Sequence, residues 1–327
     1  MVVGGANWDT TWVLPRIPAP GETVTAEATA EGPGGKGLNI AVALALLRAD
    51  VALVASLGDD DAAAALALKL TRAGVSGAGL RTTEGPSGRA AIWVSGGESR
   101  IAVVAAANAA LDGEATAAAL EACGDGCELL ILQAEVGDAA LLAAARWAAR
   151  RREAGAPPPG RRPSPRVLLS AAPARPLPQS IWRTADLVVC NRVEAAAHSG
   201  VEVEDPLDAE EAAVALSALG PEHAVVTLGS EGAVVSRGTR VTYLPPFSVP
   251  VVDPTGAGDC FAAAFARGLI EGFDVFASAG YGMAAAAVCV GRAGAATAMP
   301  TLDEVERMAH SVDLRRDAGM MPIELPR

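Results

Sequence analysis

Apolar and polar residues follow two rhythms along this chain. Short β-branched runs at residues 51–56, 128–134, 167–170, 186–190, 223–228 and 233–236 predict strands. Between them, Ala- and Leu-rich stretches at residues 39–47, 59–73, 114–122, 138–153, 210–219, 260–269 and 276–291 predict helices, another helix starts at Asn191, and residues 302–310 close the fold. The alternation predicts an α/β fold with a central, mostly parallel sheet and helices on both faces. Two stretches break the rhythm. The Pro-punctuated residues 10–32, and the runs 89–94 and 100–104 joined by a turn at 95–99, are extended with no companion helix. They predict a small β-sheet standing off the body. The expected organisation is one domain, residues 1–312, with the off-sheet strands at about 10–32 and 88–105 and a C-terminal tail at 313–327. Residues 151–166, rich in Pro, Gly and Arg without periodicity, read as a solvated, mobile loop.

Composition narrows the function classes. With 327 residues, 51% of them hydrophobic and 20% charged, the chain can bury a large core. Its net charge of −12 argues against nucleic acid and anionic membranes, whose phosphates demand clustered Lys and Arg. Cys123, Cys127, Cys190, Cys260 and Cys289 are odd in number and lie mostly in apolar runs. They read as small hydrophobes in a reducing compartment. There is no leader pattern at Met1 and no uninterrupted apolar span, so the expected location is the cytoplasm. His198, His223 and His310 lack metal spacing and read as surface or capping residues.

The candidate chemistry centres on residues 251–261, Val-Val-Asp-Pro-Thr-Gly-Ala-Gly-Asp-Cys-Phe. An apolar run ends at Asp253, a Gly-rich turn follows, and Asp259 stands where a small apolar helix begins. Gly256 and Gly258 bring bare amides close to a ligand, and the helix start attracts anions. Read locally, Asp259 is a general base beside an anion cradle, or a helix cap. A second Gly-rich loop, Gly34-Gly35-Lys36-Gly37-Leu38-Asn39, opens a second helix; its Lys does not precede Ser or Thr as a Walker A loop requires. Asn7 and Asp9, two residues apart in extended chain, share a side and suit a polyol, or else an Asx turn. Glu135 ends a strand of the parallel sheet, where ligands meet such folds. Asn191 and Glu194 have the spacing of a capping box.

Taken together, the two Gly-rich motifs, in this order and over residues 7–300, resemble the two signatures of the PfkB-type carbohydrate kinases, whose fold is called ribokinase-like. The chain is most similar to the ribokinase branch, on Asn7 and Asp9, residues 20–24 (Pro-Gly-Glu-Thr-Val), residues 107–111 (Ala-Asn-Ala-Ala-Leu), Gln133 with Glu135, residues 172–175 (Ala-Pro-Ala-Arg), Asn191 with Glu194, and residues 227–232 (Thr-Leu-Gly-Ser-Glu-Gly). The resemblance implies ATP-dependent phosphorylation of the primary hydroxyl of D-ribose, with Asp259 as base and the amides of Gly256, Ala257 and Gly258 taking developing charge. It implies that Asn7, Asp9, Gly35, Lys36, Gly37, Asn39 and Glu135 hold the sugar. Asn191 and the residues Thr227, Gly229, Ser230, Glu231 and Gly232 would line the nucleotide site, with Met283 near adenine, and Asn191 with Glu194 would organise hydrated Mg2+. A monovalent cation, usually K+, would be held by Asp253 and the Thr255 carbonyl and completed at Cys289, Arg292, Gly294 and Ala298. The off-sheet strands would form a lid and a homodimer interface.

Three positions depart from the family pattern. Pro254 stiffens the turn and removes one donor, Met283 stands where a polar residue is common, and Ala298 replaces a hydroxyl residue. Weaker K+ activation is the expected consequence. Alternative readings are a kinase of the same fold for a nucleoside, fructose or a sugar phosphate, and a non-catalytic sugar-binding protein on a kinase scaffold.

Overall fold

The computed structural model describes residues 1–96, 98–155 and 164–311. The tail at 313–327, the middle of the 151–166 loop and Gly97 of the hairpin turn lie outside the described residues. In chain order the first half comprises β1 (Val2–Val3), β2 (Asn7–Val13), β3 (Ala28–Gly34), α1 (Lys36–Leu46), β4 (Leu53–Leu57), α2 (Asp61–Ala73), β5 (Leu80–Thr82), β6 (Gly88–Ser95), β7 (Glu98–Val104), α3 (Gly113–Cys123), β8 (Leu129–Gln133) and α4 (Asp138–Ala154). The second half comprises β9 (Arg166–Ser170), α5 (Gln179–Thr184), β10 (Leu187–Asn191), α6 (Arg192–Ser199), α7 (Pro206–Ala218), β11 (His223–Thr227), β12 (Ala233–Arg237), β13 (Arg240–Leu244), α8 (Ala257–Ile270), α9 (Val275–Val290) and α10 (Leu302–Ser311).

Nine strands form the main sheet in the order β13-β12-β11-β10-β9-β8-β1-β4-β5. From β11 to β5 every pairing is parallel, and β12 and β13 add an antiparallel edge. Two apolar cores cover its faces. One draws on α1, α2, α8, α9 and α10 and the other on α3 to α7, so strands such as β8 and β10 are buried on both sides. This is why they read as continuous apolar runs. The expected α/β architecture is therefore present. The separate sheet is present too, four strands in the order β3-β2-β6-β7, with β2 and β6 parallel.

Details differ from the sequence reading. The core strand stops at Val3, and Asn7 and Asp9 belong to β2, so the separate sheet begins three residues before the expected Thr10. Helix α1 starts at Lys36 rather than at residue 39, because Gly35 takes φ 87 and turns the chain directly into it. Strands β5 and β13 and helix α5 are too short to leave a periodic signal. The ends of the expected 151–166 loop are regular structure, belonging to α4 and β9. His223 is buried on β11, 2% exposed, with its ring against the Ser236 carbonyl, and is not a surface residue.

Candidate active site

The site residues meet where the carboxyl ends of the central strands face the lid. Strand β1 leaves the sheet through Gly4-Gly5-Ala6, which passes under the start of α1: a Cβ at Gly37 would lie 2.6 Å from the Gly4 carbonyl carbon, and one at Gly35 2.6 Å from the Asn7 amide. Both positions need glycine for close approach, and Gly35 also for its positive φ. This packing delivers Lys36 and Asn39 to the side of β8 from which Glu135 projects. The Lys36 amide donates to Glu135 Oε2 at 2.8 Å, so the first free N–H of α1 is satisfied by a residue 99 positions away.

Helix α8 arrives from the other side. Gly256, at φ 81, is its N-cap and offers no side-chain cap. Asp259, in the third helical position, is 6% exposed and does not turn back to cap its own helix. Asn39 Nδ2 donates to Asp259 Oδ2 at 2.8 Å, and Lys36 Nζ stands 3.9 Å from Asp259 Oδ1. The Ala257 amide donates to the Pro254 carbonyl at 3.2 Å, closing the turn. The amides of Gly256 and Gly258 have no acceptor among the described residues and are the freer members of the expected trio.

The electrostatics are those of three carboxylates around one ammonium. Burial pushes Asp9 up to about 7, with Glu135 and Asp259 adding repulsion and Lys36 opposing it. Burial likewise pushes Glu135 up to about 7 against the pull of Lys36. Asp259 is raised by burial, held back by Lys36 and by the Asn39 hydrogen bond. Lys36 is raised, chiefly by Asp259. Among the described residues, one Oδ of Asp9 and the Oδ1 of Asn39 are buried without a hydrogen-bond partner.

Two residues quoted in the sequence without a role hold this half of the site. Asn108 and Gln133 are 1% and 0% exposed, and their amides bind Ala6 and Gly5. A buried amide in a strand or short turn has no spacing signature, so only the fold shows its task.

The expected nucleotide side lies along β10 and β11. Asn191 and Thr227 are directly paired at the ends of these strands, and residues 229–231 make a helical turn beyond. Asn191 Oδ1 accepts the Glu194 amide and Glu194 Oε2 accepts the Asn191 amide, both at 2.9 Å, so the local capping-box reading holds. Glu194 is nonetheless 8% exposed and raised by burial, with Lys36 and Asp259 in its field, so it faces the same site. Ion pairing joins Arg192 to Glu231 at 2.6 Å across the gap, and Met283 is buried on α9.

Of the expected cation positions, Asp253 accepts the Thr255 amide at 2.9 Å and the Gly294 amide at 2.8 Å, tying the turn before α8 to the loop after α9. Cys289 is in the core with its thiol against Cys260, Arg292 pairs with Glu304, and Ala298 is fully buried. Among the described residues no cluster of three or more His, Cys, Asp or Glu forms a metal site.

Comparison with known proteins shows the family and the fold. The model of the pfkB family of carbohydrate kinases matches residues 1–302. A ribokinase of Haemophilus influenzae is 31% identical over 313 residues, 95% of this chain and 98% of its own. A deoxyribokinase of Salmonella typhi is 30% identical over 306 residues, covering 93% and 96%. The structure of Arabidopsis thaliana ribokinase complexed with ribose and ATP superposes with a TM-score of 0.78 at 28% identity, over 94% of this chain and 97% of that one. The chain belongs to the pfkB carbohydrate kinase family, has the ribokinase-like fold, and is a phosphotransferase with an alcohol group as acceptor.

Proposed function

We propose that this pfkB-family kinase transfers the terminal phosphoryl group of ATP to the primary hydroxyl of D-ribose, giving D-ribose 5-phosphate and ADP. The observation that carries the reading is the convergence on Asp259: a buried carboxylate at an uncapped helix start, held by Lys36 and Asn39 from α1. Asp259 takes the hydroxyl proton as the bond to phosphorus forms, and the burial that raises its pKa makes it a stronger base, a rise that Lys36 opposes. The amides of Gly256 and Gly258 and the helix dipole stabilise charge on the transferring group, which phosphoryl transfer requires more than covalent help, while the Ala257 amide must leave the Pro254 carbonyl to join them. Asn7, Asp9, Gly35, Lys36, Gly37, Asn39 and Glu135 hold the sugar, mixing donors with acceptors as a polyol demands. The lid, β2, β3, β6 and β7, keeps water from competing for the phosphoryl group. Its exposed Ile101, Val103 and Val104 supply the apolar surface for a homodimer.

Asn191, Thr227, Gly229, Ser230, Glu231, Gly232 and Met283 line the ATP site. Glu194 fits Mg2+, since it is a buried carboxylate that faces the site and uses only Oε2 in its helix cap; the ion would neutralise triphosphate charge. The K+ positions fit only in part: Asp253 is the one charged oxygen, both its carboxylate oxygens already accept amides, and Ala298 offers no hydroxyl. Potassium activation is correspondingly weak. The five unpaired thiols suit a reducing cytoplasm.

A second reading, 2-deoxyribose as acceptor, is favoured by the deoxyribokinase relative. The test is ADP release from a panel of D-ribose, 2-deoxy-D-ribose, fructose and a nucleoside, with and without K+ at constant ionic strength. D-ribose is expected to give the highest kcat/KM; a higher value for any other acceptor overturns the ribose reading.

A further inference from the structure

The strand bearing Asn7 and Asp9 leaves the core through Gly4, Gly5 and Ala6, and two buried side-chain amides grip that passage. Gln133 Oε1 accepts the Gly5 amide at 3.1 Å, while its Nε2 donates to the Ala172 carbonyl. Asn108 Oδ1 accepts the Ala6 amide at 3.0 Å, while its Nδ2 donates to Asn7 Oδ1 at 2.7 Å. The chemistry of the donors fixes every orientation in the second set. A backbone N–H only donates, so Asn108 must turn its oxygen to Ala6 and its nitrogen to Asn7. That nitrogen also only donates, so Asn7 must answer with its oxygen. What is left of the Asn7 amide is Nδ2, which has no partner among the described residues, on the same face of β2 as Asp9. Space enforces the pairing, for a Cβ at Gly88, opposite Asn7 in the register, would lie 2.2 Å from Asn7 Oδ1 and 2.3 Å from Asn108 Nδ2.

We propose that Asn108 is a positioning residue for the acceptor: it locks the Asn7 amide with Nδ2 presented as a donor beside the acceptor Asp9, so that the two together read one sugar oxygen and one sugar hydroxyl. The proposal rests on the assignment of Asn7 to the acceptor site made above. Asn108 touches no reacting atom and acts through Asn7 alone.

The decisive variant is Asn108→Asp. Protonated, the new carboxyl has one O–H for Asn7 and one oxygen for Ala6 and reproduces the native pattern. Ionised, it has no donor, repels Asn7 Oδ1 and drives the Asn7 amide to turn over. Glu135 lies beside it across Gly5 and shares its field with Asp9, Asp259 and Lys36, while Arg89, next to the Gly88 that packs on Asn108, is paired with Asp60. Burial raises such a carboxyl, so the titration runs from about pH 6 to about pH 9 and every value is taken relative to wild type at the same pH. Asn108→Ser, which does not titrate, separates the new group from its neighbours and stands in if the Asp variant folds poorly. Sugar binding without ATP, followed by tryptophan fluorescence from Trp8 and Trp12, gives affinity independent of turnover.

For Asn108→Asp the sugar KM is expected to rise about tenfold at the alkaline end, the loss of one hydrogen bond from the neutral Asn7 amide at the upper end of its usual worth, and to return to about the wild-type value at the acidic end. The kcat and the ATP KM stay near wild type, and the Ser variant shows a penalty that does not change with pH. A penalty for the Asp variant that ignores pH, one that the Ser variant shares in its pH dependence, or one that falls on kcat or ATP instead, overturns the proposal. A wild type inactive on D-ribose removes the substrate reading instead, and the same ratios are then read with the acceptor it does use.

Discussion

Helices α6 and α8 begin with the same local grammar, a turn residue followed by an acid in the third helical position, and the structure uses the two acids differently. Glu194 reaches back to the Asn191 amide and closes its own helix end, as Asp208 does for α7. Asp259 ignores its own helix and reaches across to Asn39 and Lys36 of α1. Helices α2, α3 and α9 are likewise capped by an Asp, at 60, 112 and 274. At Gly35 and Gly256, as at Gly137 before α4 and Pro178 before α5, no side chain caps, and a glycine there costs only about a few tenths of a kcal/mol against the best caps. A side-chain cap satisfies a helix end; at α8 its absence leaves the Gly256 and Gly258 amides without an acceptor among the described residues. The contrast separates an acid that closes its own helix from one that reaches across to a neighbouring helix.

The strongest way to break the comparison is Asp259→Asn. Turnover should fall at least about a hundredfold, the low end for a lost general base, with the fold retained because Glu135 and Asp9 still face the Lys36 ammonium. Turnover near wild type in the folded variant would return Asp259 to the class of structural acids. Next in size is Glu135→Ala, expected to weaken sugar affinity about ten- to a hundredfold, with little change in ATP affinity. The same variant sharpens the electrostatics. Glu135 and Asp9 are both raised to about 7, so the folded protein holds more protons than the unfolded one between their ordinary values and about 7. Stability of the free enzyme is then highest at the acidic end of that window and is lost as pH rises through it. Denaturant midpoints against pH should show this slope, and Glu135→Ala should flatten it.

A smaller effect distinguishes two glycines of nearly equal φ. Gly74, at φ 85, closes α2 in open space, whereas a Cβ at Gly35 meets the Asn7 amide. Gly74→Ala should cost about 1 kcal/mol with unchanged kinetics, and Gly35→Ala about 1 to 3 kcal/mol together with a raised sugar KM. Equal costs and silent kinetics for both would show that the close approach at Gly35 has no functional weight. The smallest effect pairs two caps. Asn191→Ala and Asp112→Ala should each lower stability by about 1 kcal/mol, but only the former should raise the KM for ATP with Mg2+. If both leave ATP kinetics alone, Asn191 belongs with the structural caps.

The sequence alone showed the layered α/β fold, because strands buried on both faces read as short continuous apolar runs that alternate with longer Ala-rich stretches. It also marked both Gly-rich turns and Asp259, since glycine in that density before a helix has few other physical uses. Only the tertiary structure decided which acid caps and which one reaches out, because that depends on what α1 offers to α8 from more than two hundred residues away. The same holds for Asn7 and Asp9 on the lid rather than on the core strand, for the grip of Asn108 and Gln133 on the passage between sheet and lid, and for the burial that lifts Asp9 and Glu135. Each is a long-range contact or a desolvation, and neither has a local period for the sequence to display.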